Sequence, residues 1–297
     1  MKFAIIGCGE IAKVHAATIS KLGELIAVCD VDLMKAKAFA EPYQTTAYNT
    51  IDELLENEKD ITIVSVCSPN GFHAEHCIKS LQAGKHVLCE TPFCITGAAA
   101  WQMIETAKFS RGKLWLAKPG FNSELLATKE KINSSSVQSF QVILSRKTNS
   151  SSDWRNNIFP GGNALLSYFY KEIDSIINLL GPIDYAKTIM APNKDHSRVE
   201  EKGVSIVQMK SGLCGTVNWM IDSEAADTNS LTLVTKEGKW AVDELLNSST
   251  DYTSIYQNII KEVSDNISPE TDTSIVTAVE SIEKIFRSVT PQIAEAS

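Results

Sequence analysis

The sequence predicts an α/β domain, a doubly wound parallel sheet of the Rossmann type, followed by an α+β domain on a large, open, mostly antiparallel sheet. Three observations carry this. Apolar runs alternate with amphipathic stretches over residues 1–118. A Gly-x-Gly-x-x-Ala pattern joins the first apolar run to the first amphipathic one. Beyond residue 119 the rhythm changes to strand patterns joined by hairpin signals.

The chain has 297 residues, which at ~100–200 residues per domain suggests two domains: one over 1–118 and one over 119–297, with the last helix packing back on the first domain. Hydrophobic residues make up 43% and charged residues 22%, enough for a sizeable core. The net charge of −8 argues against broad nucleic-acid binding, which needs a basic face. No apolar run is long enough to span a membrane, and the strand-like run Phe3 to Ile6 stands where a leader's apolar stretch would be. A cytoplasmic location is expected. The seven cysteines form no Cys-x-x-Cys pair and read as small core hydrophobes rather than as disulfides or a zinc site.

In the first part, "KFAIIG", "LIAVCD", "ITIVSVCS", "HVLCE" and "KLWLAK" lack polar alternation, as parallel strands buried on both faces do. "EIAKVHAATISKL", "TIDELLEN" and "HAEHCIKSLQAG" read as the helices between them. In the second part, "SELLATKEKI" reads as a helix and "SVQSFQVILSRKT" as a strand. A helix from Ala164 to Leu180 follows and stops at Gly-Pro. Then come the strands "YAKTIMA", "VSIVQMK", "CGTVNWMI", "SLTLVTKE" and "KWAVDE", with turn signals in "KSGLCG" and "TKEGKW". Two helices close the chain, near 252–265 and 273–289.

"GCGEIA" supplies a tight turn at Gly7, close backbone approach for a pyrophosphate at Gly9, and helix–strand packing at Ala12. The helix opening at Glu10 and Ile11 offers N–H groups and a positive end to the phosphates. Asp30, which ends the second strand-like run, suits the adenosine ribose hydroxyls. Val31, Asp32 and Leu33 offer no Arg to a 2′-phosphate, so NAD is expected over NADP. "CSPNGFHAEH" lies at a strand's carboxyl end, where open α/β sheets bind ligands. Ser68 can cap the next helix with Pro69 in its first turn, and Asn70 and His73 can face the cofactor. His73 and His76 are three apart, but no Cys or carboxylate cluster joins them, so no metal is expected.

Together "GCGEIA", "CSPNGFHAEHCIKSLQAGKHVLCETPF", "GGNALLSYFYKEID" and the strand-rich second half resemble the Gfo/Idh/MocA oxidoreductases. The C-terminal half is most similar to the branch that oxidises C3 of UDP-linked N-acetyl amino sugar acids. The resemblance implies NAD(P), hydride transfer at a hydroxyl-bearing carbon of a sugar or cyclitol, Glu90 and Pro92 beside the cofactor, and an open sheet carrying homodimer or homotetramer contacts. It also exposes three departures. The family's Glu-Lys-Pro is here Glu90-Thr91-Pro92, Ser167 replaces a family Asp, and Lys171 replaces the His that serves as acid/base.

Oxidising an alcohol needs a base for the hydroxyl proton. Thr91 and Ser167 have no useful basicity, so Lys171 is the candidate. An amine desolvated beside a substrate gives up its proton more readily; the alternative is a solvated lysine paired with Glu172 or Asp174. Ser167, Lys171 and Asp174, at i, i+4 and i+7, share one helical face, which the resemblance turns towards the nicotinamide. Asn122, Trp154, Arg155 and Asp174 are the substrate-side candidates, with Arg155 suited to a carboxylate or diphosphate. Two functions compete: an NAD-dependent dehydrogenase or ketoreductase led by Lys171, and a non-catalytic NAD- and sugar-binding relative that has lost its proton relay.

Overall fold

A computed structural model describes residues 1–118, 128–132, 137–148, 153–191, 202–222, 224, 226–243, 250–267 and 273–288. The chain divides into two compact units: Met1–Cys94, Ala98–Lys118 and Thr250–Asp272 in the first, and Ile95–Gly97, Pro119–Ser249 and Thr273–Ser297 in the second.

The first unit runs β1 (Lys2–Ile6), α1 (Glu10–Leu22), β2 (Glu24–Cys29), α2 (Leu33–Ala40), β3 (Thr46–Tyr48), α3 (Ile51–Asn57), β4 (Ile63–Val66), α4 (His73–Gln82), β5 (His86–Cys89), α5 (Gly97–Phe109) and β6 (Leu114–Leu116). Its strands form one parallel sheet in the order β3-β2-β1-β4-β5-β6. Phe3, Ala4, Ile5, Ile63 and Val64 are fully buried, because helices cover both faces of the sheet. The chain winds outward from β1 through β2 and β3, then from β4 through β5 and β6. The reversal leaves a crevice at the carboxyl ends of β1 and β4, the usual ligand position in such a sheet. β3 has only three residues, too few to show a pattern in the sequence.

The second unit contains β7 (Val137–Lys147), α6 (Ala164–Leu180), β8 (Ile183–Met190), β9 (Lys202–Met209), β10 (Cys214–Asp222), β11 (Thr228–Thr235) and β12 (Gly238–Ala241). The strands form a mixed sheet ordered β12-β11-β7-β10-β9-β8. Only the β7–β10 pairing is parallel. Period-two alternation sends Phe140, Val142, Leu144, Val217, Trp219, Leu231 and Leu233 into a core shared with α6. The Asn163 side chain caps α6 by accepting from the Leu166 N–H at 3.0 Å, and Gly181 ends it.

The helices α7 (Tyr252–Ser264) and α8 (Ser274–Arg287) complete the chain. The expected division at 118/119 needs a correction here: α7 groups with the first unit, and the last helix, α8, with the second. The reason lies in the side chains of α7. Tyr256 is fully buried, edge-on to Phe3 at 5.7 Å, with its hydroxyl 2.6 Å from both His15 Nδ1 and Ser65 Oγ. Trp115 Nε1 donates to Glu262 at 2.8 Å. α7 therefore belongs to the core of the parallel-sheet unit, although 133 residues (119–251) separate it in sequence from β6 and its flanking loop.

Candidate functional site

The crevice is shaped by glycine at its floor. Gly7 has φ +92°, and a Cβ there would lie 2.6 Å from the Ser68 backbone nitrogen and 2.7 Å from the Cys67 carbonyl group. The tight turn after β1 thus presses on the end of β4, and only glycine fits. At Gly9, which caps α1, a Cβ would meet nothing within 4 Å. That space lies before the first N–H groups of the helix, where a pyrophosphate fits. Ala12 is fully buried, while Glu10 is exposed and paired with Lys13 at 2.7 Å.

Asp30 stands at the end of β2 with both carboxylate oxygens engaged. Oδ2 accepts from the Cys8 N–H at 2.8 Å and from Lys35 Nζ at 3.0 Å; Oδ1 accepts from the Asp32 N–H at 3.0 Å. Burial alone would raise its pKa, but these three donors outweigh it and hold the carboxyl below its usual value. Asp30 is an anion tied to the glycine turn, as a ribose-binding acid must be.

On the far side of the crevice, His73 is buried with Nδ1 2.8 Å from the Pro92 carbonyl and Nε2 2.6 Å from the Ser68 carbonyl. It joins the loop after β4 to the loop after β5; the neutral ring donates to one carbonyl, the protonated ring to both. Burial lowers its pKa. The expectation that Ser68 caps α4 is not met. A 3-10 turn, Asn70–Phe72, intervenes, and the Ser68 hydroxyl bonds His76 Nδ1 at 2.8 Å instead. Burial, reinforced by His73, brings the His76 pKa down to about 4. Asn70 is buried in that turn.

Glu90 and Pro92 are buried, and Thr91 is half-buried. Glu90 Oε1 accepts from Tyr252 at 2.6 Å and lies 2.8 Å from His15 Nε2; Oε2 accepts from the Thr91 N–H at 3.0 Å. Burial pushes the Glu90 pKa up, yet His15, Tyr252 and Thr91 outweigh it and hold it below the usual value. The sign follows directly. A carboxylate with a depressed folded pKa contributes stability above its unfolded pKa of ~4.3, and the contribution is lost as pH falls through the folded value. The melting temperature of the wild type should therefore exceed that of Glu90→Gln at pH 7, and the gap should narrow progressively below about pH 4. A gap that is constant down to pH 3 would contradict the assignment.

In the second unit, Ser167, Lys171 and Asp174 all lie on α6. The helix breaks its geometry at Phe169 (φ −132°, ψ 17°), between Ser167 and Lys171. Lys171 is exposed, and Asp174 is half-buried. The Ser167 hydroxyl oxygen is buried against Gly161 and has no hydrogen-bond partner among the described residues. A buried hydroxyl of this kind is completed by a ligand or a water. Glu172 pairs not with Lys171 but with Arg146 of β7, at 2.5 Å, and Arg146 also reaches Asn229 at 3.1 Å. Arg155 is exposed, held by Asp153 at 3.3 Å and stacked on Trp154 at 4.6 Å. Asn122 lies outside the described residues.

The sequence reading missed His15, Tyr252, Tyr256, Lys35 and Arg146. A signal existed for His15, which sits between Ala12, Ala16 and Ile19 on the inward face of α1. A polar residue at an inward position implies a buried partner. Among the described residues no group of three or more His, Cys, Asp or Glu could hold a metal ion, and no helix is long and apolar enough to cross a membrane.

The model of GFO_IDH_MocA, the oxidoreductase family with an NAD-binding Rossmann fold, matches residues 1–117. The match covers 117 of the 297 residues. The chain is 43% identical across 112 residues to the D-glucoside 3-dehydrogenase of Escherichia coli, covering 36% of this chain and 32% of that protein. It is 35% identical across 128 residues to the glucose-6-phosphate 3-dehydrogenase of Bacillus subtilis, covering 42% and 35%. The chain thus spans about a third of the length of the curated relatives it matches. The likeness in fold extends over nearly the whole chain: the crystal structure of the WlbA dehydrogenase from Bordetella pertussis, in complex with NADH and UDP-GlcNAcA, superposes with a TM-score of 0.84 at 21% identity, covering 97% of this chain and 96% of that one.

Proposed function

We propose that the chain is an NAD-dependent oxidoreductase that moves a hydride between nicotinamide and a hydroxyl-bearing carbon of a sugar or nucleotide sugar. The observation that carries this reading is the crevice in which Gly7, Gly9 and an ionised Asp30 are tied together by the Cys8–Asp30 bond. The residues fit NAD: open space at Gly9 for the pyrophosphate, Asp30 for the ribose, and the Ser68–His73–Pro92 clasp on the opposite side. NAD supplies the hydride acceptor or donor when bound. The glucoside and glucose-phosphate dehydrogenases among the relatives support a sugar hydroxyl as the reacting group, and the UDP-GlcNAcA in the WlbA complex supports a nucleotide sugar.

In this reading the Lys171 amine, exposed in the free protein, is covered by the bound substrate, and it takes the hydroxyl proton on oxidation and returns it on reduction. The Ser167 hydroxyl, lacking a partner, positions a substrate oxygen. Arg155 is an exposed guanidinium for an anionic group, with Trp154 and Asp174 beside the same substrate. Incubation with NAD and a panel of free sugars, cyclitols and nucleotide sugars, followed by NADH absorbance, tests the proposal. Turnover of any member supports it. Binding of NAD and of a sugar without turnover by any member favours the non-catalytic relative, a reading to which the altered Thr91, Ser167 and Lys171 positions give weight. NADH should bind at least ~10-fold more tightly than NADPH, worth ~1.4 kcal/mol; equal or reversed affinities in calorimetry would remove the role assigned to Asp30.

The same reading includes a homodimer or homotetramer. The sheet face opposite α6 exposes Ile189, Val204 and Ile143, set in line across β8, β9, β10 and β7 with Asn218 between them. Tyr185, Ile206 and Met220 on the same face are 37–61% exposed. An apolar patch of this kind marks an association surface. Light scattering at micromolar concentration should show a dimer or tetramer, and Ile206→Asp should dissociate it; a monomeric wild type would refute the assembly. A cytoplasmic location completes the proposal, supported by six buried cysteines that form no disulfide.

A further inference from the structure

We propose that Lys35 sets how strongly this protein discriminates between NAD(H) and NADP(H), and that NADP(H) is a second, weaker cofactor bound through it. The inference rests on the dinucleotide reading of the crevice.

Judged from residues 31–33 alone, nothing near Asp30 receives a 2′-phosphate. The fold changes this. Asp32 caps α2, so the helix begins at Leu33, and its first turn brings Lys35 back beside Asp30. The ammonium lies 3.0 Å from Oδ2 and is 48% exposed, while the carboxylate is 9% exposed. The positive group therefore sits on the solvent side of the acid. A ribose hydroxyl donating to that oxygen at ~2.8 Å would lie within about 6 Å of the ammonium. A phosphate on such a hydroxyl falls within reach of a lysine side chain that swings a short distance.

Two effects follow. Lys35 is the counter-ion of Asp30, so it weakens the repulsion by which that acid excludes a phosphate dianion. It is also a donor for the phosphate, with two of its three N–H bonds left over from the Asp30 contact. The helix end cannot do this work, because the Met34 and Lys35 backbone N–H groups are already given to Asp32 Oδ1, at 3.0 and 3.2 Å. Asp32 itself is a second negative charge. The local sum over Asp30, Asp32 and Lys35 is −1, so NAD(H) remains preferred, but by a margin that Lys35 limits.

The test is equilibrium binding of NADH and NADPH, read by nicotinamide fluorescence, to the full chain and to Lys35→Met, with adenosine 2′,5′-bisphosphate and 5′-AMP as competitors. The wild type should bind NADH ~10- to 100-fold more tightly than NADPH. Lys35→Met should weaken NADPH and the bisphosphate by a further ~10-fold or more, leaving NADH and 5′-AMP within ~3-fold of the wild type. Parallel changes in NADH and NADPH, or an unchanged ratio, would overturn the role of Lys35. If NADPH does not compete at all with NADH in the wild type, the second-cofactor claim falls while the NAD reading stands. If neither dinucleotide binds, the cofactor reading fails and this inference with it.

Discussion

Lys171→Met should lower turnover by ~10²–10⁴, the usual worth of a positioned acid/base, while leaving NADH affinity within a few-fold of the wild type. Methionine keeps most of the side-chain length and removes the amine. The side chain is exposed in the second unit, whereas Gly7, Gly9 and Asp30, which the proposal assigns to the dinucleotide, lie in the first, so the two functions should separate. Rate and binding measured on one preparation check this. Wild-type turnover in the variant would make Lys171 a solvated surface residue and place the proton relay elsewhere. Thr91→Lys, which restores the family residue beside Glu90, is the complementary variant and should raise activity if the reaction follows the family type.

The two glycines of the turn should fail in different ways. Gly7→Ala forces a Cβ to within 2.6–2.7 Å of the backbone at Cys67 and Ser68, at a φ of +92°. Strain from the left-handed region alone is worth ~1–3 kcal/mol, and the contact with rigid backbone adds to it. The variant should lose thermal stability and essentially all NADH binding. Gly9→Ala meets open space at an ordinary φ of −82°, so its melting temperature should match the wild type. Its NADH affinity should still fall ~10-fold or more, because the methyl group occupies the pyrophosphate approach. Equal losses of stability in both variants, or undiminished binding in Gly9→Ala, would contradict the placement of the phosphates.

The cofactor crevice was largely legible in the sequence because its chemistry is local. Gly7, Gly9 and Ala12 fall within one turn between a strand and a helix, and Asp30 closes the next strand. Apolar runs without polar alternation announced the strands of the parallel sheet, apart from the three-residue β3. What stayed hidden depends on distant partners. Tyr252 and Tyr256 bond Glu90, His15 and Ser65 from more than 160 positions away, and no local pattern marks such a pairing. Hence the chain segment 250–272 was assigned to the wrong unit. The common face of Ser167, Lys171 and Asp174 was read from ideal helical spacing, which the kink at Phe169 breaks. A pair between Lys171 and Glu172 was one alternative that the sequence left open, but the Glu172 partner Arg146 comes from a strand 26 positions earlier. Lys35 lies beyond residues 31–33, and only the helix turn that Asp32 caps returns it to Asp30.

The central claim is that Lys171 exchanges the proton of a sugar hydroxyl whose carbon exchanges a hydride with the nicotinamide. A crystal structure of the full chain with NADH and a turned-over sugar or nucleotide sugar tests it most directly. The account predicts a hydroxyl-bearing carbon facing the nicotinamide C4, with Lys171 Nζ about 3 Å from that hydroxyl oxygen. A sugar bound with no ionisable side chain within reach of that hydroxyl, or with another ionisable group in place of Lys171, would contradict it.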